Sequence, residues 1–168
     1  VPKALTLALL SPFLALLLIP ASSQAAIEPT SAEKQVIRLV NEERTERGLK
    51  PLKLAVSLTR AARAHSRQQA RRGLLTHKSV NGDGVAPRLI RYGYKRRGYR
   101  YWCVGENVAR ASSGSLLATP AGAVYLWMAS AAHRRVILRR NVRNVGVGIA
   151  RSAGGQRYFT LDVGRRVR

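Results

Sequence analysis

The chain has 168 residues, 46% of them hydrophobic, which suits one domain with a real core and is too short for two large ones. Thirty Lys and Arg stand against eight Asp and Glu, a formal net charge of +22, so nucleic acid, anionic polymer and phospholipid must each be weighed as partners. Cys103 is the only cysteine, which excludes an internal disulfide; its thiol reads as a buried, inert side chain.

At the amino end, Lys3 precedes an apolar run over residues 4–19, and small residues follow at 21–26. This pattern predicts a secretory signal over residues 1–25 with cleavage after about Ala25. The run is short and Pro12 interrupts it, which argues against a membrane anchor, and no other segment is apolar enough to span a bilayer. The protein is therefore expected to be exported.

Residues 26–35 form a short leader and the start of the first helix, which Thr30-Ser31-Ala32-Glu33 opens as a capping box. Val36, Ile37, Leu39 and Val40 supply its inner stripe, while Glu42, Glu43, Arg44 and Glu46 are expected to face water. Five of the eight acids lie between Glu28 and Glu46, a negative face that pairs most simply with Arg44 and Arg47 within the helix. Lys50-Pro51-Leu52 reads as a turn. A second helix runs from about Ser57 to Arg72; its many alanines imply close approach to a neighbour, and its His65 reads as a packing residue outside any site.

Thr76-His77-Lys78-Ser79 leaves that helix for a loop, and Pro87 marks the first turn of a short helix closed by Gly93-Tyr94. Between Tyr92 and Trp102 aromatics alternate with bases, as on surfaces that bind single strands. The bases are nevertheless spread along the whole chain with no recognised nucleic-acid motif, so nucleic acid is disfavoured. A solvated basic face that adheres to anionic envelope polymer or lipid is preferred. A further helix covers about residues 120–130 and another turn or two about 131–138. Residues 145–150 and 158–163 read as a β-hairpin, whose Gly146 and Gly148 leave room for a neighbour. Helices followed by a hairpin predict an α+β domain.

Glu106 stands alone in an otherwise uncharged stretch from Trp102 to Ala109. Burying an unpaired carboxylate costs several kcal/mol, so Glu106 must be solvated, paired with a cation, or bound to a metal or ligand. His77 and His133 flank it at sequence distances that only a tertiary fold could close.

Seven motifs follow one another along the chain: Thr76-His77-Lys78-Ser79; Asp83-Gly84 with Pro87-Arg88 and Gly93-Tyr94; Gly105-Glu106-Asn107-Val108-Ala109; Trp127-Met128-Ala129-Ser130; His133-Arg134 with Ile137-Leu138; Val145-Gly146-Val147-Gly148; and Tyr158-Phe159-Thr160 with Asp162 and Gly164. In this order they resemble the CAP superfamily, the SCP-like extracellular domain of cysteine-rich secretory proteins, antigen 5 and pathogenesis-related proteins, and in particular its disulfide-free bacterial branch. The resemblance spans residues 36–164 and leaves 165–168 as a basic tail. It implies an α-β-α sandwich, a twisted antiparallel sheet between helical layers, with a cleft of two histidines and two acids. Carried over by position, the cleft holds His77, Glu106 and His133, with Ser130 where the family's second glutamate would stand.

Two imidazoles and one carboxylate are the ligand set of an open zinc site, so His77, Glu106 and His133 are candidate ligands for weakly held Zn²⁺ or another divalent metal. The same three residues could instead form a structural polar cluster. With Ser130 in place of an acid, Glu106 would have to be ligand and general base at once, and the chain has neither a His-Glu-x-x-His helix nor a Gly-x-Ser-x-Gly elbow. Two functions stay open: a non-catalytic binding module for a small apolar, lipid-like or envelope-polymer ligand, and a metal-dependent hydrolase on the same scaffold.

Overall fold

A computed structural model describes residues 27–168; the signal assigned to residues 1–25 lies outside the described residues. The elements run α1 (Ser31–Thr45), β1 (Lys53–Leu54), α2 (Val56–Arg72), α3 (Val85–Arg91), β2 (Tyr101–Ala111), α4 (Pro120–Ala129), α5 (Ala131–Ile137), β3 (Asn144–Arg151) and β4 (Arg157–Val167). The strands form one sheet in the order β1-β3-β4-β2, antiparallel across β3, β4 and β2, with a two-residue parallel pair where β1 joins β3. Helix α2 covers one face. Helices α1, α4 and α5 cover the other, which gives the α-β-α sandwich.

Alternation along the strands sorts the chemistry between these faces. Phe159, Leu161 and Val163 of β4 join Val145 and Val147 of β3 in the main core, with Val36 and Val40 of α1 and Trp127 of α4. The intervening Thr160 and Asp162 face α2 with Gly146 and Gly148 of β3. A Cβ on Gly146 would lie 2.2 Å from the backbone of Leu58 and Thr59, and one on Gly148 would lie 2.2 Å from that of Ala62 and Arg63. The room left by these glycines is taken by the helix backbone itself, and the buried Ala61 and Ala62 of α2 belong to the same close approach.

The capping box of α1 forms as expected: Thr30 Oγ1 accepts from Glu33 N–H, and Glu33 Oε2 accepts from Thr30 N–H. Arg44 corrects the expected water-facing side. It is wholly buried and donates to the carbonyls of Lys50, Ile137 and Arg139, so it ties α1 to the end of α5, and burial lowers its pKa. Arg47 pairs with Glu43 as expected, and Arg38 rather than Arg44 takes Glu42.

Two further differences concern the strands. The residues from Tyr101 onward are the edge strand β2, paired with β4 along its whole length. That pairing extends β4 to Val167, so Arg165 and Arg166 of the expected tail belong to the sheet, opposite Cys103 and Trp102. The basic-aromatic segment also turns inward. Tyr94 is fully buried, Trp102 packs beside it and donates its indole N–H to the Tyr94 carbonyl at 3.2 Å, and the Arg166 guanidinium lies over both the Tyr94 and Tyr99 rings. Cys103 is half-buried. Among the described residues no helix is long and apolar enough to cross a membrane.

Candidate functional site

Glu106 sits on β2 directly opposite Asp162 of β4, and Asp162 is in turn opposite Gly146 of β3. Cross-strand partners share a face, so both carboxyl groups point toward α2. Glu106 is almost completely buried, and both its oxygens are engaged: Oε1 accepts from His77 Nδ1 at 2.8 Å, and Oε2 accepts from the guanidinium of Arg88. Arg88 comes from α3, which Pro87 helps to start, and its side chain is 2% exposed. It also donates to the His77 carbonyl at 3.1 Å and to Ser79 Oγ at 3.2 Å, so one guanidinium fixes both the acid and the loop that carries the histidine.

A second network positions the same loop from α2. Ser66 Oγ bonds the Gly148 carbonyl at 2.8 Å and lies 2.8 Å from Thr160 Oγ1. Gln69 donates to Thr160 Oγ1 at 3.3 Å, and its side-chain oxygen accepts from Thr76 N–H at 3.0 Å. His65 Nε2 donates to the Thr76 carbonyl at 2.7 Å. The expectation that His65 stays outside the site is therefore corrected: it is buried, and Nε2 lies 3.9 Å from Glu106 Oε2.

The three imidazoles are tuned in opposite senses. The hydrogen bond to Glu106 raises the pKa of His77, whose side chain is 52% exposed. Desolvation lowers that of His65 despite the nearby Glu106 charge. Desolvation, and then the charge of His77, lower that of His133. His133 thus lies within electrostatic reach of His77, but it makes no hydrogen bond or ion pair with Glu106 among the described residues. Its backbone carbonyl accepts from Asn107 Nδ2 at 2.9 Å, which ties α5 to the residue after Glu106. Ser130 stands at the junction of α4 and α5 and contributes no charge.

Asp162 is wholly buried, and neither oxygen meets a donor among the described residues. Burial first, and the facing Glu106 second, push its pKa well above the usual carboxylate range. Protonated, Asp162 becomes a donor, and the carboxylate it meets is Glu106. Arg88, Asp162 and His65 are the members of this cluster that were not assigned to it from sequence. A clue to the first was present, since a cation was one of the three partners that a lone acid in an uncharged stretch could take.

Residues 37–163 match the Cysteine-rich secretory protein family, CAP. The chain belongs to this family. The protein YkwD of Bacillus subtilis (strain 168) is 33% identical over 140 residues, a match covering 79% of this chain and 51% of YkwD, so the chain spans about half the length of that relative. Among solved structures, the CAP domain is similar to an outer surface protein from Borrelia burgdorferi, with TM-score 0.67 and 17% identity over 79% of this chain and 91% of that one. It is also similar to an extracellular protein containing a SCP domain from Bacillus anthracis str. Ames, with TM-score 0.64 and 23% identity over 80% of this chain and 40% of that one. Both likenesses concern the fold.

Glu106 itself is not free to act as a metal ligand. A divalent ion at Glu106 would have to displace either the His77 N–H or the Arg88 guanidinium, and a buried guanidinium beside the ligand repels it. Ser130 supplies no compensating carboxylate. Among the described residues no group of three or more His, Cys, Asp and Glu is disposed to hold a metal ion.

Proposed function

We propose that this CAP domain is an exported, non-catalytic binding module whose cationic surface takes anionic polymer of the cell envelope, and that the cleft of His77, Glu106 and His133 anchors the fold rather than performing hydrolysis. The observation that carries this reading is the double engagement of Glu106. A hydrolytic centre needs a free general base or a metal-activated water, whereas here Glu106 is neutralised by Arg88 and the facing Asp162 is wholly buried.

The distribution of charge supports the choice of partner. Glu28 pairs with Lys34, Glu33 with Arg63, Glu42 with Arg38, Glu43 and Glu46 with Arg47, and Asp83 with Arg91. Glu106 and Asp162 are buried, so the surface acids are spent on internal partners and the surplus of bases faces solvent. Nucleic acid is a poorer fit, because the Tyr94 ring is buried and Arg166 already occupies the Tyr94 and Tyr99 faces on which bases would stack. Export is supported by the family and by relatives described as extracellular or outer-surface proteins.

The test is retention on purified anionic envelope polymer as a function of salt. Binding should weaken steeply from low to above-physiological ionic strength as the attraction is screened. Retention unchanged into molar salt would contradict the proposal.

A further inference from the structure

Between α2 and α3 lies a cavity of about 310 Å³, at the lower end of the range typical of small-molecule sites. Its wall carries Arg67 and Arg71, one helical turn apart on α2, and Arg91 on α3, with His65, Arg88 and Ser79 completing the lining. Among the described residues no carboxylate lies within ion-pair distance of Arg67 or Arg71, and the one acid that answers this group from the surface is Asp83, on Arg91. Like charges one turn apart on a helix repel, so the group is held together at an electrostatic cost that an anion would relieve.

A second observation is independent of that count of charges. His65 and Arg88 are both at least nine-tenths buried, both line the cavity, and each has a buried nitrogen without a partner among the described residues: Nδ1 of His65 and Nε of Arg88. Because His65 Nε2 gives its proton to the Thr76 carbonyl, Nδ1 of the neutral ring is a bare acceptor. A buried polar group left unpaired is costly. These two nitrogens lie behind the cavity wall, and what the wall itself offers a ligand is guanidinium donors and the Ser79 hydroxyl. A carboxylate, with two oxygens, uses only part of this set. A phosphate monoester, with three oxygens and a charge near −2 at neutral pH, can accept several guanidinium forks at once.

We propose that the cavity between α2 and α3 is a binding site for a phosphate monoester, gripped by Arg67, Arg71 and Arg91. The cavity has room beside a bare phosphate for a small organic group. The site is separate from diffuse attachment to envelope polymer, and either can fail without the other.

Calorimetric titration of the full chain with glycerol 3-phosphate, at ionic strength held constant with chloride, tests the assignment. One equivalent should bind. The exposed double variant Arg67→Ala/Arg71→Ala should weaken that binding by at least about tenfold, the loss of one or more charge-assisted hydrogen bonds. Lys95→Ala/Arg96→Ala, which removes the same charge from the exposed loop before β2, should weaken it less than about twofold while still reducing attachment to anionic polymer. A parallel arm with vesicles containing phosphatidic acid distinguishes a lipid phosphomonoester from a free one: selective loss of vesicle binding in Arg67→Ala/Arg71→Ala supports the lipid source, and selective loss of glycerol 3-phosphate the soluble one. Equal weakening in both double variants, or titration without saturation at one equivalent, would overturn the site.

Discussion

Arg88 reaches from α3 to the edge strand and closes a buried ion pair on Glu106, with side-chain exposures of 2% and 1%. The pair joins residues 18 apart in sequence and also holds the loop that bears His77, so loop, helix and sheet share one electrostatic knot. Burial makes such a pair costly to form and more costly to break, because a single remaining charge has no water to fall back on.

Removing one partner should therefore destabilise the fold strongly. Arg88→Met or Glu106→Gln is expected to cost about 3–5 kcal/mol in denaturant unfolding. Together they should cost clearly less than the sum, because the double variant leaves no buried charge alone. Additive losses would mean that the two residues act separately.

Asp162 is expected to be protonated in the fold. A folded pKa raised above the unfolded value, near 3.9, lends stability that is fully present below that value and is lost as pH rises through the raised one. Asp162→Asn cannot titrate and retains a donor toward Glu106. Urea unfolding should find it at least as stable as the wild type at neutral pH, with a flatter pH profile on the acid side. A marked loss of stability at neutral pH would show that the ionised carboxylate is needed.

The histidines should pull in opposite directions. His77, raised by Glu106, stabilises below about pH 6.5 and loses that contribution as pH rises through its folded value. His65 and His133, held neutral by burial, contribute stability above about pH 6.5 that is lost as pH falls through their depressed values. His77→Gln should accordingly destabilise more at pH 5.5 than at pH 8, by no more than about 1 kcal/mol because the ring is half in solvent. A larger loss at pH 8 than at pH 5.5 would contradict this assignment.

Much of this architecture was legible in the chain. The Thr30 to Glu33 cap, the helix stop at Gly73 and the glycine pair of β3 announce themselves locally, because caps and close approaches demand particular residue types. Strand β2 was harder to read, since it follows directly on a basic-aromatic segment and carries Glu106 at its middle, and looks like loop until β4 is placed beside it. Arg44 and Arg88 were hidden for a related reason: an arginine in an amphipathic helix reads as solvent-facing, and only distant carbonyls or a distant acid make its burial tolerable. That Glu106 must be solvated, paired or bound was visible, but not that a cation, or which of thirty bases, would answer it.

The close approach of α2 to β3 makes a further prediction. A methyl group at residue 148 would meet helix backbone, which has no rotamer with which to yield. Gly148→Ala should cost about 1–3 kcal/mol or more in chemical denaturation, and should shift the amide signals of Ala62 and Arg63. A neutral substitution would mean that α2 can lift from the sheet.

The central claim is that Arg88, and not a metal, neutralises Glu106. Its most direct test is the melting temperature of the folded protein with added zinc and then with excess chelator at neutral pH. A metal at about 100 times its Kd would add about 2.7 kcal/mol, or roughly 5–10 °C for a chain of this size. The ion pair predicts that zinc and chelator leave the melting temperature within about 2 °C of its starting value, less than about 1 kcal/mol of metal-linked stability. A chelator-induced drop of the full size, restored by zinc and absent in His77→Ala, would contradict it.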